Sequence, residues 1–207
     1  MTMDQSRIYL CSRSPRRREL LKQVGVNFSM LLLRSGNAQR SADVDETPLP
    51  NETPQAYVLR ISQEKARAGC AALRFRSLPV LPVLAADTTV TLDNKIFGKP
   101  ENAEHAAVML GELSGREHQV LSAVAVAMGE QVEVLLSTSI VRFAKLDDER
   151  IKRYVLTHEY TDKAGGYGIQ GYAGAFVEHL SGSYSGVMGL PLFETVELLK
   201  RFDYPVP

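Results

Sequence analysis

The centre of this chain constrains its fold more than any other feature. Gln119–Met128 and Val132–Phe143 are two long runs of strand-forming residues joined at Gly129-Glu130, a pattern that reads as a β-hairpin. Elsewhere short strands alternate with helices, which is how parallel sheets are built. A hairpin has no place in a purely parallel sheet, so the expectation is an α/β fold with a mixed sheet. The 207 residues make one large domain or two small lobes. Hydrophobic residues at 44% and charged residues at 23% describe a globular chain, not a disordered or fibrous one. No repeat, low-complexity tract or interdomain linker divides it.

Around that hairpin the signals are local. Ile8–Cys11 is a short strand candidate, and Ser14-Pro15 starts a helix with serine as N-cap and proline at N1. Leu20, Leu21 and Val24 give that helix its apolar face, and Gly25 is placed to end it. Residues 33–53 read as a polar loop. Thr53-Pro54 opens a second helix running to about Leu73. Val80–Ala86 reads as a buried strand ending on Asp87, with Thr88–Leu92 extended toward an Asp93-Asn94 turn. A helix covers about Ala103–Leu113, Asp147 caps another to about Leu156, Ala175–Leu180 is a strand, and Pro191–Phe202 is a closing helix.

Composition excludes several classes of function. Lysine plus arginine is 24 and aspartate plus glutamate is 24, so nothing favours wholesale binding of nucleic acid or an acidic membrane. The longest apolar stretches fall far short of the roughly 20 residues that span a bilayer, and Ile8–Cys11 is too short for a signal peptide. Cys11 and Cys70 make no disulfide framework and no zinc motif. A cytoplasmic enzyme or binding protein with a local anion site is the expectation.

Five places along the chain could carry chemistry. Arg13, Arg16, Arg17 and Arg18 crowd a helix start, where the helix dipole disfavours cations by several tenths of a kcal/mol; backbone N–H groups and guanidinium groups converging there suit a phosphate. Lys65 lies on the apolar stripe of Val58, Ile61, Ala68 and Ala72, which fits either a snorkelling side chain or a lysine delivered into a cleft. Asp87 stands at the expected end of an apolar strand, where ligands of open α/β sheets gather; the alternative is a turn aspartate. Gly98-Lys99-Pro100 adds a lysine on a tight loop. The 157–171 stretch, with Gly165, Gly166, Gly168 and Gly171, is too long and glycine-rich for a mere connector and carries Asp162, Lys163 and Gln170. Acids, lysines and arginines on separate loops, without a Ser-His or Cys-His pair, suggest metal-assisted phosphate chemistry.

Ser12-Arg13-Ser14-Pro15-Arg16-Arg17, Asp45-Glu46, Glu64-Lys65-Ala66, Ala86-Asp87-Thr88, Gly98-Lys99-Pro100, Asp162-Lys163-Ala164-Gly165 and Gly189-Leu190-Pro191 occur in that order. As a set they resemble the Maf family of nucleotide pyrophosphatases, and within it the dTTP/UTP pyrophosphatase branch, from about Ile8 to Leu199. The resemblance implies a Maf/ITPase-like α/β fold: an elongated mixed β-sheet flanked by helices, one domain over 1–207 in two lobes with the active-site cleft between them. It implies a house-cleaning hydrolysis of dTTP and UTP, modified pyrimidine nucleotides included, to the monophosphate and pyrophosphate, with a divalent cation (Mg2+ or Mn2+). Asp87 matches the proton acceptor. Arg16, Thr88 and Gln170 match the positions that select the base. Ser12, Arg17, Lys65, Lys99 and Lys163 match substrate-binding positions. Glu46, Asp87 and Asp162 stand as metal ligands.

Three departures from the family pattern stand out: Arg13 where a small residue is expected, Tyr160 in place of a proline, and an insertion over Leu31–Ala42. The expected partner is the nucleoside triphosphate, with no nucleic acid or membrane, and a homodimer is left open. The rival reading is a nucleotide-sensing regulatory protein, since the family is also linked with inhibition of septum formation.

Overall fold

A computed structural model describes residues 7–34 and 44–206, and within them the chain forms one seven-stranded mixed sheet with helices on both faces. The strands are β1 (Ile8–Leu10), β2 (Phe28–Met30), β3 (Val83–Leu92), β4 (Lys95–Phe97), β5 (Glu117–Met128), β6 (Gln131–Phe143) and β7 (Val177–Ser181). The helices are α1 (Pro15–Gln23), α2 (Pro54–Phe75), α3 (Ala103–Leu113), α4 (Asp148–Leu156), α5 (Tyr184–Met188) and α6 (Leu192–Arg201). The sheet order is β2-β1-β3-β5-β6-β7, with β4 beside the far half of β3. β1 pairs in parallel with β2 and β3, whereas β3, β4, β5, β6 and β7 pair antiparallel. The hairpin reading of β5 and β6 holds, and with it the mixed sheet.

Helix boundaries follow the capping chemistry. The Thr53 side chain accepts from the Ala56 amide, and the Asp147 side chain from the Arg150 amide. Gly25, at φ +69°, donates to the Lys22 carbonyl while Val26 donates to Leu21, the paired bonds of a Schellman ending that need a left-handed residue. Gly69 answers a different need: a Cβ there would fall 2.6 Å from Val83 Cγ1, so only glycine lets α2 lie this close to the sheet.

Three elements depart from the sequence reading. The strand begins at Val83 and not at Val80, because Pro79 and Pro82 carry no N–H for a ladder and β1 first pairs at Val83. Asp87 therefore lies in mid-strand and does not end it. β2, β4 and the five-residue α5 were not expected; each is too short to display a period.

The core is divided along β3. Val83 and Ala85 pack with Cys70 and Leu73 of α2 on one face; Leu84 and Ala86 pack with α1 and α6 on the other. Farther along, Val90 and Leu92 join α3, α4 and an aromatic group around Phe143, Tyr154, Tyr167 and Phe176. Among the described residues no helix is long and apolar enough to cross a membrane.

Candidate active site

β1 pairs with β3 only at Val83 and Leu84, and β4 only from Val90 to Leu92. Between them the edge of β3 is left without a strand partner, and Asp87 and Thr88 stand in that gap. Because alternate residues of a strand face opposite ways, Asp87 turns to α2 and Thr88 to α1 and α5. This replaces the strand-end placement: the ligand-gathering crevice lies beyond the short β1, alongside the middle of the longer β3.

On the α2 side, Lys65 Nζ lies 2.8 Å from Asp87 Oδ1 and 2.9 Å from Glu46 Oε1. The lysine side chain is 16% exposed and the aspartate 13%, so Lys65 points through the packed face into the gap and does not snorkel. Asp87 Oδ2 has no hydrogen bond among the described residues. Burial works against the Glu46 charge, but Lys65, with Lys99 and Arg17 farther off, overcomes it and holds the carboxyl below its usual range. The Tyr57 hydroxyl donates to the Glu46 carbonyl at 3.0 Å, which ties Glu46 to α2.

On the other side Arg17 connects three chain segments. Its Nε donates to Gly189 O at 2.7 Å, its Nη1 to Ala86 O at 2.7 Å and Ser12 Oγ at 3.3 Å, and its Nη2 to Thr88 Oγ1 at 3.4 Å. Four of its five N–H groups are thus used in holding β3, α1 and the Gly189 turn together, and one remains for a ligand. Burial lowers the Arg17 pKa, with Asp87 opposing. The Thr88 hydroxyl also lies 2.9 Å from Ser122 Oγ, which donates to Gly186 O at 2.6 Å. Ser14 caps α1 without a side-chain bond to the helix; its own amide donates to Ser12 Oγ at 3.2 Å.

Over residues 7–202 the chain matches the family model described as Maf-like protein. The chain belongs to the Maf family. A protein of Aromatoleum aromaticum named dTTP/UTP pyrophosphatase is 55% identical over 202 residues, covering 98% of each chain. One of Nitrosomonas europaea with the same name is 54% identical over 194 residues, covering 94% of this chain and 93% of its own. A solved structure of the Staphylococcus aureus Ham1 protein shares 16% identity at a TM-score of 0.45, over 67% of this chain and 72% of its own.

In this Maf chain the remaining family positions fall into a second group. Arg16 Nε donates to Met188 O at 3.1 Å, and burial lowers its pKa while Asp162 and Glu159 oppose. The pKa of Lys163 is lowered first by burial and then by the charge of Arg16. Gln170 is exposed, without an intrachain hydrogen bond among the described residues. Lys99 reaches toward Asp162 at 3.7 Å, and its charge also acts on Glu46, so it stands between the two groups.

Glu46 and Asp87 are two hard oxygen donors around one cation, and that pair fits a magnesium-like ion that takes its other ligands from phosphate and water. Asp162, largely exposed, lies 3.7 Å from Lys99, and its charge acts on Arg16 and Lys163. Among the described residues no three His, Cys, Asp or Glu side chains form a cage.

The departures are accommodated. Arg13 Nη2 donates to Leu33 O at 3.0 Å, outward from the gap. Tyr160 is 9% exposed and belongs to the aromatic core. Residues 35–42 of the expected insertion lie outside the described residues. Sequence reasoning missed Ser122, Glu159 and Tyr57. Ser122 is a lone hydroxyl in the apolar run of β5, which is a faint signal; Glu159 and Tyr57 give none.

Proposed function

We propose that this chain hydrolyses dTTP and UTP to the nucleoside monophosphate and pyrophosphate. Membership of the Maf family and relatives of that name support the reading, and one observation carries it: Asp87 held by Lys65, with one carboxylate oxygen unbonded, in a gap lined with cations. Asp87 Oδ2 accepts a proton from the attacking water as the water oxygen bonds to the α-phosphorus. The bond from that phosphorus to the bridging oxygen breaks, and pyrophosphate leaves with the electron pair. Lys65, Lys99, Lys163 and the remaining Arg17 N–H meet phosphate oxygens, which stabilises the charge that builds there. A divalent cation, Mg2+ or Mn2+, held by Glu46 and Asp87 would supply further neutralisation of the triphosphate.

Base selection is assigned to Arg16, Thr88 and Gln170. The Arg16 Nη groups and the Gln170 amide carry no intrachain bond among the described residues, and their donors and acceptor complement the pyrimidine carbonyls and N3–H. A mismatched base leaves such groups unpaired, at about 1–3 kcal/mol, or roughly 10–100-fold. Cys11 and Cys70 are buried, which suits the reducing cytoplasm we assign it.

The deciding experiment measures kcat/KM for dTTP, UTP, CTP, GTP and ATP by released pyrophosphate. The expected order puts dTTP and UTP first. GTP or ATP as the best substrate removes the base assignment, and tight nucleotide binding without turnover favours a sensor.

A further inference from the structure

Glu159 has more bonds to the 157–171 loop than its place in the chain explains. It follows α4 by two residues, and its carboxylate reaches forward past the loop. Oε2 accepts from the Tyr172 amide at 2.8 Å, and Oε1 from the Ala173 amide and the Tyr154 hydroxyl, each at 3.4 Å. Its backbone carbonyl accepts from Lys163 Nζ. One residue therefore joins both ends of the loop and holds the lysine inside it.

The glycines of the loop fit this arrangement. Gly171 has φ −109°, a conformation open to alanine, yet a Cβ there would lie 2.4 Å from Glu159 Oε2. Glycine is needed at 171 because the carboxylate occupies that space. A Cβ on Gly168 would lie 2.9 Å from Lys163 Cε and 3.2 Å from Gln170 Nε2, so Lys163 and Gln170 pack across the same glycine. The loop is fastened elsewhere too: Gly165 N donates to Gly98 O at 3.0 Å, and Tyr154 OH to Gly166 O at 3.1 Å. The Gln170 end is held by Gly171 N, which donates to Gly168 O at 3.1 Å, and by Glu159 through the Tyr172 and Ala173 amides.

We infer that Glu159 is a positioning residue that closes this loop and, by fixing its Gln170 end, sets how sharply the site distinguishes one base from another; the inference rests on the proposed nucleotide hydrolysis. The Glu159 charge also acts on both Arg16 and Lys163, so the same carboxylate orders the loop and steadies the cations facing it. Its loss frees the Gln170 end while Asp87, Lys65 and Arg17, on other elements, keep their bonds.

Three variants and two readouts test this. Glu159→Ala and Gly171→Ala, which reach the same contact from opposite sides, are each expected to lower the UTP/GTP ratio of kcat/KM about 10-fold, the size of one lost polar contact. Glu159→Gln can still accept from Tyr172, and its amide can donate to the Tyr154 oxygen, so the ratio returns to within about 3-fold of the parent. A lowered melting temperature with an unchanged ratio in both alanine variants overturns the assignment. Amide hydrogen exchange at Tyr172, measured without nucleotide, separates this idea from the functional reading. Faster exchange in Glu159→Ala, restored in Glu159→Gln, upholds the closure even if the parent hydrolyses no nucleotide. Unchanged exchange overturns it whatever the activity.

Discussion

The two halves of β3 solve different problems with the same strand. From Val83 to Ala86 it is paired with β1 at its first two residues and covered closely by α2, whose Gly69 admits the approach. From Val90 to Leu92 it is paired with β4 and packed into an aromatic core where Phe143 contacts the rings of His118, Tyr167 and Phe176 at centroid distances of 5.0, 4.8 and 6.0 Å. The first half delivers charged side chains from rigid helices: Lys65 from α2 and Arg17 from α1. The second holds a loop, and the loop carries Lys163 and Gln170. On the proposed assignment the catalytic groups sit on a strand and helices fixed by backbone hydrogen bonds, and of the base-reading groups Gln170 alone sits on a loop, while Arg16 and Thr88 belong to α1 and β3.

The sharpest break of that comparison is Asp87→Asn. The amide keeps the shape but accepts no proton, so kcat should fall about 10²–10⁴-fold with the fold intact by circular dichroism and melting. Turnover near the parent rate would remove Asp87 from the chemistry.

Phe143→Ala addresses the other half. Truncating this fully buried ring should cost about 3–5 kcal/mol of stability, while kcat/KM of the protein kept folded stays within about 3-fold. A much larger kinetic loss would mean that the two halves act as one unit.

His118 sharpens the same contrast through pH. It is 2% exposed, its Nε2 lies 2.8 Å from the Tyr167 hydroxyl, and burial lowers its pKa to about 4. In the unfolded chain it titrates near its ordinary value of about 6.5. Between those values the unfolded state binds the proton and the folded state does not, so stability falls as pH drops from about 6.5 to 4, by about 3 kcal/mol in all. Denaturant melts across that range should show the slope, and His118→Gln should flatten it.

Lys65→Met has the smallest expected effect. It keeps the apolar stem but leaves Asp87 and Glu46 without their shared cation, and a loss of about 10–100-fold in kcat/KM is expected. Unchanged kinetics with a lowered melting temperature would reduce Lys65 to packing.

Much of this molecule was legible from residue order. The Thr53-Pro54 and Asp147 starts, the Gly25 stop and the Gly129-Glu130 hairpin rest on bonds between residues a few positions apart, so local chemistry decides them. The unusual placement of Lys65 on an apolar stripe and of arginines at a helix start also marked the site, because each contradicts the preference of its own helix. The structural part of Arg17 was not legible: besides the phosphate contact expected of it, four of its N–H groups hold the chain itself.

What the sequence by itself determined is which residues carry charge against local preference and where helices and the central hairpin begin and end. Only the tertiary structure decided that Asp87 stands in mid-strand, that a gap between β1 and β4 exposes it, and that Lys65 bridges it to Glu46. It alone decided that Glu159 closes a loop at Tyr172. The physical reason is distance along the chain. Caps and turns are settled by hydrogen bonds within one turn of backbone. The gap in the sheet depends on how far two short strands extend beside a third, and no short segment contains that information.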